Sequence, residues 1–307
     1  MDTRFIVNPV AGQGRGRRVW AALRPWLEER LGSVEVDFTT GPRTGTEVAR
    51  RALEKGCRRL IVVGGDGTIH EVANAMAGSD AVMGLISVGT GNDLSRSLGL
   101  PRRPQDAARV ALEGRPRRVD LGRVNGDYFV NVSGLGFDAE VSKEANRHSK
   151  ILGRLGATLP FVVALFKMLF RYQNAPARIR IDDKELEGRI LLVAVGNGEF
   201  YAGGMKIAPG ALLDDGWLDV VVAWDLTRLE TVLALLRVYK GTHLALPKVC
   251  HYRARRVEVS SPRLLSVQSD GEVVSQVPAT FEVVPGALWV AVPAGGTTQG
   301  DGSHAVR

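Results

Sequence analysis

Val62-Val63-Gly64-Gly65-Asp66-Gly67-Thr68 sets three glycines around one carboxylate, between an apolar run and a helical pattern. Leu60 to Val63 reads as a buried strand, and Ile69 to Met76 as a helix with Val72, Ala73 and Met76 on one side. A glycine-rich turn between strand and helix lets the backbone approach an anion closely. The helix that follows aims its free N–H groups and positive dipole end at that anion. Phosphate is the natural guest. Asp66 would repel it unless a divalent cation lay between them, so the stretch points to a metal-bound nucleotide. The competing reading is a tight turn without a ligand.

Strand and helix patterns alternate on either side of this stretch. Phe5 to Val7 is a strand, Arg17 to Leu31 a helix, Val34 to Phe38 a strand, Glu47 to Lys55 a helix, and Met83 to Ser87 a fourth strand. Such an order implies βαβ units, a mostly parallel sheet, and ligands at the carboxyl ends of its strands. Each strand ends in turn chemistry: Asn8-Pro9, Thr39-Thr40-Gly41-Pro42, Gly64-Gly65-Asp66 and Gly89-Thr90-Gly91-Asn92-Asp93. Four such loops in order make a nucleotide crevice.

After Leu121 the pattern changes to β-hairpins. Asn125-Gly126 signals a two-residue type I′ turn, and Asp182-Asp183-Lys184 separates two further strand-like runs. Val257 to Val259, Leu264 to Val267, Thr280 to Val284 and Leu288 to Val292 continue as strands. Two helical insertions interrupt them. The Leu229, Val232, Leu233, Leu236 spacing within Leu226 to Tyr239 is amphipathic and is expected to pack inward. The other insertion, Ile151 to Phe170, has a basic rim and contains Pro160 and Lys167. Its apolar stretch falls short of the ~20 residues that cross a bilayer. It is either an interfacial helix or a buried core helix.

The chain has 307 residues, 45% of them hydrophobic and 24% charged, which describes a globular protein long enough for two domains. No secretory leader is legible at the N-terminus, and Cys57 and Cys250 match no metal or disulfide spacing, so a reducing cytoplasm is expected. A net charge of +7 calls for an anionic partner. The arginine clusters lack interleaved aromatics, which argues against nucleic acid; most read as solvated faces, and nucleotide phosphates or an anionic membrane could use the rest.

Asn8-Pro9-x-x-Gly12, Gly64 to Thr68, Gly89 to Asp93, Val119 to Gly122 and Ser269-Asp270-Gly271-Glu272 together resemble the soluble bacterial diacylglycerol kinase-like lipid kinases. Their catalytic domain is similar to that of diacylglycerol, sphingosine and ceramide kinases. The single motifs are moderately specific, because NAD kinases and phosphofructokinases share GGDG; the ordered set is highly specific. The resemblance implies an α/β nucleotide-binding domain over 1–122, an antiparallel β-sandwich lipid domain over 123–285, and a strand at 286–293 returning to the first domain. Residues 294–307 read as a disordered tail. It also implies ATP as phosphoryl donor, Mg2+, and a lipid acceptor, diacylglycerol first, met at the inner surface of the membrane. Members are often dimers, which makes a homodimer an expectation here.

By the same resemblance ATP is held by Asn8, Pro9, Val10, Ala11 and Gly12, by Thr40 with Thr39 as the alternative, by Gly64, Gly65, Asp66, Gly67, Thr68, Ile69 and His70, and by Thr90. Asp66, Asp93 and Asp120 join a network around the phosphates and magnesium. Leu212, Asp215 and Trp217 match a structural magnesium loop. Three departures stand out. Gln13 replaces a common lysine, with Arg15 or Arg17 able to supply the charge. His70 replaces a common asparagine and is read as a helix-face residue. Arg43-Thr44-Gly45 replaces the usual Gly-His-Ala or Gly-Asp-Ala.

Phosphoryl transfer needs positioning, charge neutralisation and an oriented nucleophile. Asp270 is the candidate base, and Glu272 the alternative, since i and i+2 share a face if a strand extends there. No GxxxxGK[ST], HRD or DFG motif is present. An NAD kinase and an inactive membrane-docked nucleotide-binding regulator are the remaining rivals.

Overall fold

The first four apolar runs become the parallel strands β1 (Thr3–Val7), β2 (Val36–Phe38), β3 (Arg59–Gly64) and β4 (Val82–Ser87), ordered β4-β3-β1-β2. This computed structural model describes residues 2–152 and 159–294. β3 is apolar at successive positions because both its faces are covered. Leu60 and Val62 pack with helices α2 (Thr44–Glu54) and α3 (Asp66–Met76). Ile61 and Val63 pack on the opposite face with α1 (Ala11–Leu31), through Trp20, Leu23 and Leu27, and with Ala107 and Ala108 of α5 (Pro104–Glu113). A short helix, α4 (Asp93–Ser97), follows β4.

The remainder is mainly antiparallel. β5 (Arg115–Val124) turns through Asn125 and Gly126, at φ 48° and 94°, into β6 (Asp127–Phe129), as the hairpin reading requires. β7 (Val132–Gly136), α6 (Phe137–Leu152), α7 (Leu159–Arg171), β8 (Ala175–Ile181) and β9 (Lys184–Gly196) follow. Then come β10 (Phe200–Tyr201), β11 (Met205–Lys206), β12 (Leu218–Trp224), α8 (Arg228–Val238), β13 (Val249–Ala254) and β14 (Arg256–Ser260). The last strands are β15 (Ser266–Ser269), β16 (Glu272–Gln276) and β17 (Ala279–Val292). The second half of β9 is buried on both faces: Val193 and Val195 join the core between the sheet layers, while Leu192 and Ala194 face α6 and α7. The fold is thus an α/β unit joined to a β-sandwich.

Three expectations change. The runs Thr280–Val284 and Leu288–Val292 are one strand, β17, whose register with β5 shifts between Val284 and Leu288. Its first part pairs with β14, and Trp289 and Val290 pair in parallel with Val82 and Met83 of β4, so one strand stitches the two halves together. The insertion read over Ile151 to Phe170 is described as parts of two helices, α6 and α7; Arg154 lies outside the described residues, as does the tail from 295. The third change concerns α8. A reciprocal cap between Thr227 and Glu230 starts this helix, yet its apolar stripe does not pack: Leu229 is 80% exposed and Leu236 70%.

Candidate active site

The carboxyl ends of β1, β3 and β4 carry the glycine loops, and hydrogen bonds tie these loops to one another. After β1, Gly12, Gln13 and Gly14 adopt left-handed conformations before α1 continues. A Cβ on Gly12 would lie 2.1 Å from the Val88 carbonyl oxygen, so only glycine fits that approach. Asn8 Nδ2 donates to Thr68 Oγ1 at 2.9 Å, and Asn8 Oδ1 accepts from Val10 N–H at 3.1 Å. Asp66 opens α3; its two oxygens accept from Asn92 N–H at 2.8 Å and Asp93 N–H at 2.9 Å. Asp93 in turn accepts from Gly203 N–H at 3.0 Å.

Burial pushes the Asp66 carboxyl up despite those amides, and burial together with the Asp66 charge raises Asp93 to about 6. The second Asp93 oxygen is buried without a hydrogen-bond partner among the described residues, with Arg96 Nε 4.0 Å from it. Two coupled carboxylates with a spare buried oxygen form a donor set that suits a hard divalent cation. Among the described residues no cluster of three or more metal-binding side chains occurs, so phosphate oxygens or water would have to complete such a shell.

Pro9, Val10, Gly67 and Thr90 line one end of a cleft of about 1670 Å³, with Asp66 and Asp93. Arg17 and Gln13 line it too, so Arg17 rather than Arg15 is placed to supply the missing positive charge. Other expected nucleotide residues act from behind. Ile69 is a core residue, Ala11 is half-buried against the α1 core, and Gly64 and Gly65 form the turn beneath the cleft. Thr39 is buried, whereas Thr40 is exposed, its N–H donating to Thr44 Oγ1.

Asp270 lines the same cleft. The turn between β15 and β16 holds it at φ 48°, with its side chain only 2% exposed. Its Oδ1 accepts from the Asn131 and Val132 N–H groups at 2.9 and 3.2 Å. Its Oδ2 accepts from Val130 N–H at 2.8 Å and from His70 Nδ1 at 3.0 Å. This cradle fixes the carboxylate and stabilises its charge. Glu272 lies at the exposed rim, opposite Ser269 at the start of β16. Because a tight turn precedes it, the two acids do not share a strand face.

The helix-face reading of His70 is overturned, because its ring is buried between Asp270 and Asp127, the latter 3.5 Å from Nε2. Burial works against the imidazolium, but the Asp270 hydrogen bond and the Asp270, Asp127 and Glu272 charges outweigh it, so the pKa is raised. A group raised on folding stabilises fully below its unfolded value, and that contribution fades as pH rises through the folded value. As pH rises above the ordinary histidine value, wild-type melting temperature should therefore fall more steeply than that of His70→Asn. Parallel profiles would contradict the pairing. In sequence, a titratable residue four positions after Asp66 was the available signal; its partner, 200 positions away, was not legible.

The expected magnesium loop is built differently from the phosphate end. Asp215 Oδ1 accepts from Trp217 N–H at 3.1 Å and its other oxygen pairs with Arg253. Arg253 and Arg255 flank the Trp217 ring. Here the Asp215 carboxylate is engaged by a backbone amide and by the Arg253 guanidinium rather than by other acids. The Leu213 carbonyl, next to Leu212, accepts from Asp120 N–H. Asp120 does not line the cleft: it is buried and accepts from Gly216 and Gly286 N–H, both at 2.7 Å, clamping this loop to β17.

Beyond Asp270 the cleft becomes apolar. Val141 of α6, Phe161 and Leu165 of α7, Leu192 of β9 and Leu235 of α8 line it. Arg228 donates to the Phe170 carbonyl and joins α8 to α7.

Comparison with known proteins agrees with this geometry. Residues 2–124 match the diacylglycerol kinase catalytic domain, and residues 131–292 match the YegS C-terminal NAD kinase beta sandwich-like domain. The diacylglycerol kinase of Mycobacterium tuberculosis H37Rv is 32% identical over 296 residues, covering 94% of each chain. That of Bacillus subtilis strain 168 is 30% identical over 281 residues, covering 91% of this chain and 92% of the relative. A solved Bacillus anthracis Sterne structure superposes with a TM-score of 0.78 at 27% identity, covering 95% of this chain and 98% of its own. Glycine loops facing an acid across a half-apolar cleft, on a chain matched along both halves, place it in the diacylglycerol kinase-like lipid kinase family, and the protein is a kinase.

Proposed function

We propose that the protein transfers the γ-phosphate of magnesium-bound ATP to the free hydroxyl of diacylglycerol, giving phosphatidic acid and ADP. The observation that carries this reading is the single cleft in which glycine loops, Asp270 and an apolar pocket succeed one another. Backbone N–H groups of the glycine loops and the N-terminus of α3 cradle the phosphates, and Arg17 adds positive charge beside them. Magnesium, when bound near Asp66 and Asp93, neutralises phosphate charge. Asp270 accepts the acceptor's proton as its oxygen bonds to phosphorus and the bond to the β-phosphate bridge breaks, with ADP leaving. Because the hydroxyl loses its proton late, a carboxylate suffices.

The acceptor reaches this cleft from a membrane surface. Phe166 and Phe170 of α7 are 60% and 63% exposed, and the apolar stripe of α8 lies exposed as well. Arg171, Arg228, Arg237 and Lys240 lie on or beside these helices. Apolar side chains with a basic rim suit the interface of an anionic bilayer. Among the described residues no helix is long and apolar enough to cross one. Phe166→Asp/Phe170→Asp should lose most co-sedimentation with phosphatidylglycerol vesicles while remaining folded. Unchanged sedimentation would remove the membrane contact.

Incubation with γ-labelled ATP and magnesium, with diacylglycerol vesicles, with NAD, or with neither, tests the reaction. Label in phosphatidic acid supports it. Label in NADP supports the NAD kinase reading, and no product beyond hydrolysed phosphate contradicts both.

A further inference from the structure

Among the buried acids that the proposed reaction does not use, Asp138 lines the cleft. Asp138, in the first turn of α6, is 7% exposed and lines the cleft where its polar and apolar ends meet. Its Oδ2 accepts from Gln268 Nε2 at 3.2 Å, and Gln268 Oε1 accepts from Gly271 N–H at 2.8 Å. The carboxyl is thus one side chain away from the turn that carries Asp270. Gly134 leaves room for it, since a Cβ there would lie 2.6 Å from Oδ2.

Among the described residues Asp138 Oδ1 has no hydrogen-bond partner. Phe137, Val141 and Leu192 line the same part of the cleft, and no ion pair to Asp138 occurs among the described residues. Burial pushes its pKa up to about 7, so the neutral acid, a hydrogen-bond donor, is well populated near neutral pH. The titratable groups facing it are Tyr172, whose hydroxyl is also without a partner, and Tyr201 on β10. Burial and the Asp138 charge hold both phenols above their ordinary value. Glu140 and Arg263 act on Tyr172 with opposite signs. A buried carboxyl oxygen without a partner, on a residue that lines a cleft, is costly unless a ligand or a side-chain adjustment completes it.

We propose that Asp138 is a recognition residue for the acceptor, its carboxyl group donating to an ester carbonyl of the lipid beside the reacting hydroxyl. The inference rests on the lipid kinase reading and names what that site selects. Diacylglycerol carries ester carbonyls a few bonds from its free hydroxyl; its diether analogue has the same chains and hydroxyl but no carbonyl. The pocket therefore distinguishes acyl from alkyl glycerolipids, a difference that the apolar lining alone cannot sense.

Label transfer to dioleoylglycerol and to the matching dioleyl diether, in the same mixed micelles, tests this. At about pH 6 the ester KM should be roughly tenfold lower, the value of one buried hydrogen bond. The gap should narrow as pH rises through about 7, where Asp138 loses its proton. Comparing two acceptors at each pH cancels titration of other groups in the reaction. Asp138→Asn, which retains a donor, should keep the gap at both ends of the range. Equal KM values for ester and ether in the wild type would overturn the proposal and leave the lipid kinase reading intact. A preference for a long-chain amino alcohol that grows with pH would overturn it too, as the mark of a carboxylate binding an ammonium. Failure to label any lipid would overturn both readings. Should the variant not fold, the wild-type comparison decides by itself.

Discussion

Asp270→Asn is expected to lower kcat by roughly 10²- to 10⁴-fold, the range attributable to a positioned proton acceptor, while nucleotide binding persists. Persistence follows from placement: Asp270 belongs to the β15–β16 turn, whereas the phosphate loops follow β1, β3 and β4. The substitution also disturbs the cradle. The retained oxygen can still accept from Asn131 and Val132, but the new amide faces the Val130 N–H donor that Oδ2 now accepts from. A modest drop in melting temperature should accompany the loss of turnover. Label transfer measures turnover, and calorimetric titration with a non-hydrolysable ATP analogue measures binding. Near-normal kcat would remove Asp270 from the reaction; lost nucleotide binding would mean that the turn supports the phosphate loops.

Asp66→Ala should produce the complementary phenotype. Its carboxylate accepts the first two N–H groups that organise the Gly89 to Asp93 loop. Hydrogen bonds to a charged group contribute about 1.5–3 kcal/mol each. Losing both is therefore worth roughly a hundredfold or more in affinity, at about 1.4 kcal/mol per tenfold. The expected result is a KM for ATP raised by at least about a hundredfold, with acceptor KM little changed. An unchanged ATP KM would show that the two glycine loops hold their positions without this clamp. Asp93→Asn should keep the Gly203 contact, which needs only an acceptor oxygen, while removing the charge that the proposed magnesium site uses.

Legibility followed the physics of each element. The parallel sheet could be read because strands covered on both faces give continuous apolar runs, such as Leu60 to Val63, between turn residues. The Asn125-Gly126 hairpin was legible because its turn needs two positive φ values, which that pair tolerates. β17 was harder: Pro285 and Gly286 look like a boundary, and only pairing with β5 on both sides of the register shift shows one strand. The α8 stripe misled for a different reason. Amphipathic spacing reports that a helix has an apolar face, not what covers it, and here protein leaves that face open.

Local motifs pointed to Asp66, Asp93 and Asp270, which line one cleft, because glycine-rich turns and short polar turns constrain chemistry within a few residues. What stayed hidden depends on contacts distant in sequence. Asp120 looked like a phosphate-network acid, yet its partners are Gly216 and Gly286. His70 meets Asp270, and the amides at 130–132 complete the base cradle. Asp138 sits in a helical stretch that sequence marks only as ordinary and charged. No local periodicity reports such pairings.

The central claim is that one cleft brings a nucleotide's phosphates and a lipid hydroxyl to Asp270 from opposite ends. A ternary crystal structure with magnesium, a non-hydrolysable ATP analogue and a short-chain diacylglycerol tests it most directly. The account predicts the terminal phosphate beside Gly67 and Asp93, the acyl chains among α6, α7 and α8, and the free hydroxyl within hydrogen-bond reach of the Asp270 carboxylate. Acyl chains bound elsewhere, or a hydroxyl held away from Asp270 with the triphosphate in place, would contradict it.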